Sequence, residues 1–549
     1  MRSRFLGVAF FIGSVDREGK LVFMVDKART LEIVLINPKF EVSYWGMEHA
    51  LPLLGKKANL PVAGLPLLAA LTPDQHHVTI VDENVETIDF DRLAKADIVG
   101  ITGMSVQKQR MREIVEEFHR RGAFVVLGGP WITVSESYFG EIPKSIFVGE
   151  AEETWPQFLL DFQRGEWKAR YEAKEKTDMH RVPAPRYDLI KTQDYLFGSV
   201  QFSRGCPFQC EFCDIIVTFG RRPRIKTAEQ ILIELEQLLR VNLRIAFIVD
   251  DNLIGNKQQI KEVLKAVAKW QEVRGYPLTF FTEASLDLAD DPELMQLMVD
   301  CNIQTVFVGI ESPNEASLRE TKKIQNVRST GTLLEKIHRI QNGGLDVWCG
   351  MIVGFDNDDA SIFEMQLEFL RESRILHAML GMLHAIPKTP LHERLRQEGR
   401  LDEGDESHYG TNVIPKQMTR DELRDGYLHV MKRLYDPDTY FDRLESLFLD
   451  ERFAFGRTRT EYLRRHPWKR WKAHLTHACM AGGLWLRMMW KIEDASLRRL
   501  YRKRLFRLLR KHRNPEVWFV LVVKCAMHYH HHRLAESMQP GRSKVVNSF

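Results

Sequence analysis

From residue 31 to about residue 400 the chain alternates between short unbroken apolar runs and stretches of helical spacing. Leu31–Asn37 is a buried-strand run closed by Pro38, and Val62–Leu71 has helical spacing. Val78–Asp82, Ile98–Gly103, Phe124–Gly128 and Ser145–Val148 are further strand runs. Runs of this length separated by helical periods predict a doubly wound parallel sheet with helices on both faces. A polar stretch with Val-Pro-Ala-Pro-Arg-Tyr-Asp at 182–188 follows, and then the alternation resumes. Its strand runs lie at 199–202, 245–249, 278–282, 305–308, 346–353 and 379–385. Six βα units predict a partial barrel, open on one side, in which polar residues at strand C-termini read as site residues. Beyond it, 401–416 is loop-like and 418–449 helical, with Tyr427, Leu428, Met431, Leu434, Tyr440 and Phe441 as the packing face. The fold class is therefore α/β with a helical C-terminal region. Its expected parts are an extension (1–30), the doubly wound domain (31–160), a linker (161–196), the partial barrel (197–400), a helical extension (401–455) and a basic Trp/Arg-rich helical tail (456–549).

Composition narrows this picture. With 549 residues the chain exceeds the ~250–300 residues that one core supports. A net charge of +4 makes the whole molecule no polyanion binder, and no nucleic-acid fold is legible. Seven cysteines, three of them clustered, form no secreted disulfide framework and suit a reducing, cytosolic setting. No run approaches the ~18 apolar residues of a membrane span. Phe5–Ile12 after Met-Arg-Ser-Arg imitates a signal peptide, but the apolar core is short and no small-residue cleavage site follows, so 1–30 reads as an extension. In the tail, Leu497, Leu500, Tyr501, Leu505, Leu508 and Leu509 share one helical face among arginines and lysines. Such a helix suits a membrane surface or a partner, and equally a solvated helix packed on the core. The His528–His532 cluster could bind adventitious metal.

The chemistry is concentrated in Gln201–Asp214, which places Cys206, Cys210 and Cys213 in a CxxxCxxC spacing. One loop can fold these three thiolates around one metal centre. Thiolates select zinc or iron–sulfur clusters, and a closed zinc site wants four ligands; the next cysteine is Cys301. Three cysteines on a 4Fe-4S cluster leave one iron open. A zinc knuckle is the alternative. Cys301 and Cys349 stand in apolar contexts and read as core thiols. Every strand of the barrel ends in polar or small residues: Asp250-Asp251-Asn252, Glu283 and Ser285, Glu311, and Gly354-Phe355. The first sheet ends in Thr102-Gly-Met-Ser105 and Gly128-Gly129-Pro130, with no Gly-x-Gly-x-x-Gly and no Walker motif.

The cysteine loop, with Phe212 and its Gly-Cys-Pro turn, closely resembles that of the radical S-adenosylmethionine enzymes. The preceding sheet resembles the cobalamin-binding domain of their cobalamin-dependent members. The phrases Val249-Asp-Asp-Asn-x-Ile-Gly-Asn, Phe307-Val-Gly-Ile-Glu-Ser-Pro and Ala385-Ile-Pro-Lys-Thr-Pro-Leu resemble the branch of the bacterial hopanoid methylases, over about residues 31 to 450. The resemblance implies a 4Fe-4S cluster on the three cysteines and S-adenosylmethionine across the barrel mouth. Asp250, Asp251 and Asn252 would accept its amino group, Glu283, Ser285 and Glu311 its ribose, while Phe212, Gly354 and Phe355 would flank the adenine. Ser105, Gly128, Gly129 and Pro130 would cradle cobalamin. The Asp-x-His-x-x-Gly signature is absent and His49 has the wrong spacing, so no protein histidine is expected on cobalt. The implied reaction is methylation of an unactivated carbon of a hydrophobic, hopanoid-like substrate through a 5′-deoxyadenosyl radical and methylcobalamin, with electrons from a ferredoxin or flavodoxin. A non-methylating radical rearrangement or cyclisation, and a non-catalytic cobalamin or metal sensor, are the competing readings. The expected location is cytoplasmic, with a peripheral contact at the inner membrane surface through the basic tail and no nucleic-acid partner.

Overall fold

The computed structural model describes residues 29–327, 330–402, 404, 406–450, 453, 456–538 and 547, together with an antiparallel hairpin of residues 12–15 and 21–24. Apart from that hairpin and residues 29–30, the expected extension lies outside the described residues.

The first unit is a six-stranded sheet of β1 (Glu32–Asn37), β2 (His77–Asp82), β3 (Ile98–Thr102), β4 (Val125–Gly128), β5 (Ser145–Val148) and β6 (Arg170–Glu172). All neighbours are parallel, in the order β2-β1-β3-β4-β5-β6. One face packs on Ile114, Val115 and Phe118, the other on Trp155, Phe158 and Leu159. The direction of winding reverses between β1 and β3, so a ligand crevice is expected at their C-terminal ends. The structure corrects the expected linker: helix Thr154–Arg164 runs into it, and β6 adds a strand to the sheet. β6 escapes an apolar count because only Tyr171 is buried, between exposed Arg170 and Glu172.

The second unit is a partial barrel of β7 (Gly198–Val200), β8 (Ile245–Ile248), β9 (Thr279–Ala284), β10 (Ile303–Glu311), β11 (Asp346–Val353) and β12 (Ala378–Met382). The strands are parallel and in sequential order, and β7 does not pair with β12. Ala246, Ile248, Phe280, Val306 and Val308 are fully buried toward the outer helices. Alternate positions face inward and keep partial exposure: Phe247, Phe281, Glu283, Phe307, Gly309 and Trp348.

A strap from the first unit, residues 43–61, crosses the open side. Trp45 donates its Nε1–H to Met379 Sδ on β12 (2.9 Å) and sets its ring 5.2 Å from Phe307. At the other end, Asn59 O accepts from Phe197 N (2.8 Å), and Ser199 Oγ on β7 donates to Pro61 O (3.3 Å). His530 pins the strap: its Nδ1 accepts from His49 N (3.3 Å) and its Nε2 lies 2.9 Å from Ser43 O. These bonds require the neutral Nε2–H tautomer, and burial pushes His530 down to about 4.

Pro437 splits the expected helix 418–449 into Arg420–Leu434 and Pro437–Glu445, with the six expected packing residues buried. The chain then forms helices Pro467–Lys491, Ala495–Lys511 and Pro515–Ser537. The last of these is no solvated tail. It drives Lys524 against Asp346 at the base of β11 (2.7 Å), both nearly fully buried. His528 and His531 are also core residues, His528 bonded to Tyr501 Oη (2.6 Å) and Tyr435 O (3.1 Å), which corrects the idea of an accessible metal-binding cluster. Among the described residues no helix is long and apolar enough to cross a membrane.

Candidate active site

The cysteine loop leaves β7 through Ser203-Arg204, which pairs with Arg224-Ile225. Gly205 follows at φ +92, where a Cβ would stand 2.9 Å from Arg222 O and 3.0 Å from Gly220 O, so only glycine fits the turn. Cys206 N donates to Gly220 O (3.3 Å), Glu211 N to Thr321 O (3.0 Å) and Cys213 N to Cys210 O (3.2 Å). Cys210 and Phe212 are buried among Ile352, Phe355, Leu383 and Ala385, with Cys213 packed alongside. Side-chain amides approach two sulfurs, Gln325 Nε2 at 3.5 Å from Cys210 Sγ and Asn252 Nδ2 at 3.9 Å from Cys206 Sγ. Burial pushes the Cys206 thiol up and the Cys213 thiol well above its ordinary value. Bare thiolates are disfavoured in such a pocket, whereas a soft cationic centre with its own charge offsets that penalty. The donor set, three thiols on one loop with amide donors near two of them, fits a 4Fe-4S cluster.

The strand ends are arranged in two layers. Asp250 and Asp251 hold the loop itself: Asp250 accepts from Phe202 N (2.7 Å) and Ser203 Oγ (2.6 Å), and Asp251 accepts from Gly205 N (2.7 Å). Each oxygen of Asp250 thus takes one donor from the loop, which gives it a positioning role beside the amino-group contact that the resemblance implies. Asn252 bonds Ser285, whose Oγ donates to Asp287 (2.5 Å). Glu311 takes a left-handed φ of +68 at the end of β10, a strained conformation for a side-chain-bearing residue. Its Oε1 accepts from Lys323 Nζ (2.7 Å). Burial works against the Lys323 charge, but Glu311 and the Cys210 and Cys213 sulfurs outweigh it and raise the ammonium above its ordinary range. Lys323 escaped the sequence reading because it follows a helical turn, not a strand; its place between Gly309 and Phe212 is a tertiary fact.

Glu283 faces the interior on β9. Burial, reinforced by Asp251 and Asp250, pushes its carboxyl up to about 8, so it is protonated near neutrality and can donate a hydrogen bond. Glu283→Gln should therefore keep the KM for S-adenosylmethionine within about threefold, while Glu283→Ala should raise it about tenfold or more. Equal losses for both variants in KM titrations would sink this role. Below Glu283 the interior is aromatic: Phe247 and Phe281 stack with centroids 4.8 Å apart, and Trp348 lies 6.3 Å from Phe281. Above it, Gly309 and Gly350 pair across β10 and β11, and the room their missing side chains leave is taken by Glu311 and Lys323 at Gly309 and by Phe307 at Gly350.

The first sheet turns its C-terminal edge toward this mouth. Gly129, at φ +97, lies so close to Thr102 that a Cβ would collide with Thr102 Oγ1 at 2.2 Å. Gly128 and Pro130 flank it at the end of β4, and Ser105 opens the turn after β3 between the exposed side chains of Met104 and Val106. Two contacts join the facing edges. Lys388, after β12, donates to Thr133 O (2.6 Å) and Glu136 Oε1 (2.7 Å). Arg204, just before the cysteines, is buried against Glu150 Oε1 (2.8 Å) and Glu152 Oε1 (2.6 Å), which follow β5, and Arg224 shares Glu150 (3.0 Å). His49 faces His530, away from this edge.

Residues 200–370 match the Radical SAM superfamily, and residues 389–544 match a Domain of unknown function (DUF4070). An uncharacterised methyltransferase of Synechocystis sp. is 41% identical over 76% of this chain and 79% of its own. The hopanoid C-2 methylase of Rhodopseudomonas palustris is 34% identical over 75% of this chain and 78% of its own. The fold is shared with the radical S-adenosylmethionine methyltransferase TsrM of Kitasatospora setae, solved with cobalamin and a [4Fe-4S] cluster bound. The TM-score is 0.59 at 14% identity, covering 80% of this chain and 99% of that one. The chain belongs to the radical S-adenosylmethionine methyltransferases, in the branch that contains the hopanoid C-2 methylase.

Proposed function

We propose that this enzyme methylates an unactivated carbon of a hydrophobic polycyclic molecule of hopanoid type, with cobalamin as methyl carrier. The observation that carries the reading is the partly exposed aromatic interior of the barrel beneath the cysteine loop and the glycine row. Apolar rings there bind a rigid hydrocarbon and keep water from a reactive centre. The 34% identity to a hopanoid C-2 methylase supports the substrate class. Cobalamin suits the facing edge of the first sheet, because Met104 and Val106 offer an exposed apolar surface without a histidine there, beside the tight turn that Gly129 makes against Thr102. When bound, the cluster with S-adenosylmethionine would supply the 5′-deoxyadenosyl radical that takes hydrogen from the substrate carbon, and cobalamin the methyl group.

The chain's own residues orient and enclose. Asp250 and Asp251 fix the cysteine loop, Glu283 offers a proton to an acceptor at the mouth, and Lys323 with Glu311 sets a paired charge beside the thiols. Phe212 and Phe355, with rings 6.2 Å apart, offer apolar walls for adenine. Electrons from a ferredoxin or flavodoxin, and a reducing cytoplasmic setting, suit seven free cysteines and an iron–sulfur site.

The test is anaerobic incubation of the reconstituted enzyme with cobalamin, reductant, methyl-labelled S-adenosylmethionine and a bacterial lipid extract. 5′-Deoxyadenosine, S-adenosylhomocysteine and labelled lipid are expected together. 5′-Deoxyadenosine without S-adenosylhomocysteine or label would replace methyl transfer by a rearrangement. Neither nucleoside from cluster-loaded protein would favour a sensor.

A further inference from the structure

Helix Pro467–Lys491 packs Ala481, Leu484 and Met488 inward. A surface helix ordinarily turns polar side chains outward on the opposite side. Here the opposite side is apolar: Trp468 is 75% exposed, Trp471 56%, Leu475 51%, Leu486 70% and Trp490 80%. At about 100° per residue these positions, with Cys479 and Gly482 between them, fall within an arc of about 100°. The stripe is about 33 Å long at 1.5 Å per residue. Trp468 and Trp471 stack at its start, centroids 5.1 Å apart, and Trp490 closes the far end.

The charge on the helix that bears the stripe has one sign: helix 467–491 carries five lysines and arginines and no aspartate or glutamate. On helix 495–511, by contrast, Arg504 and Arg507 are already paired with Asp438, Asp442 and Glu445. Lys472 flanks the stripe near one end, Arg487 and Lys491 near the other.

We propose that this face is a docking surface for an anionic phospholipid bilayer, on which helix 467–491 lies flat with its tryptophans in the headgroup layer. Tryptophan suits that layer because one end of the ring is apolar and the other can meet water. An apolar stripe edged by cations is the pattern of interfacial helices, and it adds buried area to attraction for anionic lipid. A second copy is a poorer occupant, since a symmetric contact would set like-charged rims against each other. The proposal goes beyond the methyl-transfer reading and does not depend on it.

The test is co-sedimentation of the cluster-loaded full chain with phosphatidylglycerol-containing and with pure phosphatidylcholine vesicles, together with tryptophan emission. Binding to the anionic vesicles, weakened by salt and accompanied by a blue shift, is expected. The triple variant Trp468→Ser/Trp471→Ser/Trp490→Ser should cut partitioning at least about tenfold, and Lys472→Glu/Arg487→Glu should cut binding to anionic vesicles selectively. All five positions are surface sites outside the barrel, so the fold and 5′-deoxyadenosine production should persist. The proposal is overturned if the wild-type chain stays in the supernatant at low salt or if the triple variant binds equally well. It is also overturned by self-association that the triple variant abolishes in the absence of vesicle binding.

Discussion

Cys210→Ala is expected to yield a folded protein that cannot hold its cluster: reconstitution should leave little iron and sulfide bound and no 5′-deoxyadenosine formed. Cys210 is the buried member of the trio, packed against Phe212, Phe355 and Leu383 with Gln325 Nε2 at 3.5 Å from its sulfur. Trimming a buried thiol to a methyl costs on the order of 1 kcal/mol in packing, so the fold should survive. Loss of a direct ligand must exceed the 10–100-fold cost of losing an outer-shell partner, and a fall of at least about 10³-fold in turnover is expected. Cys301→Ala is the control, because Cys301 is a core thiol that donates to Leu264 O (3.1 Å). Iron analysis, the visible spectrum and 5′-deoxyadenosine quantification check both variants. An iron-replete, active Cys210→Ala protein would sink the assignment.

The second large effect is expected at the junction between the two sheets. Glu150→Ala would strip Arg204 and Arg224 of their shared acceptor and Thr177 N of its bond to Glu150 Oε2 (3.1 Å), all in a buried setting. Removing the partner of a buried charge costs roughly 3–5 kcal/mol when that charge is left uncompensated; Arg204 keeps Glu152 (2.6 Å), so the loss should fall at or below the low end of that range. Arg204 directly precedes Gly205-Cys206, so loosening it also shifts the loop, and a displacement of about 1 Å can cost ~10²-fold in rate. The expected result is an early calorimetric transition, faster proteolysis across residues 173–196, and a turnover loss far beyond any loss of cluster. Glu150→Gln, which keeps an acceptor for Thr177 N, should fall between. An unchanged melting profile in Glu150→Ala would remove the junction from any structural role.

What the chain disclosed before folding was mostly local. Three cysteines within eight residues, and carboxylates directly after apolar runs, are legible because each chemical unit is contiguous. That both sheets are parallel followed from alternation; the strand order of the first did not. What stayed hidden depends on partners far apart in the chain. Glu150 and Glu152 follow β5, and nothing near them in the chain announces Arg204 as their partner. That Asp250 also anchors the cysteine loop was hidden because its donors, Phe202 N and Ser203 Oγ, sit some 47 positions earlier. Strand β6 was missed because an edge strand of three residues needs only one buried side chain. In the tail, leucine spacing drew attention to helix 495–511, while the exposed stripe lies on 467–491. Helical spacing marks an apolar face but does not say whether protein covers it.

The strap across the barrel has a consequence for the order of events during synthesis. Trp45 is made 334 residues before Met379, and His49 is made 481 residues before His530, so the barrel's open side cannot be sealed until the chain is nearly complete. At ~5–20 residues per second on the ribosome, that delay is roughly 25–95 seconds. The cysteine loop is complete by residue 213, well before the last helix that fastens the strap. We therefore expect cluster delivery to be fastest on the nascent chain, whose aromatic interior is still open for a period set by the length of the C-terminal region, and slower once the final helix has fastened the strap.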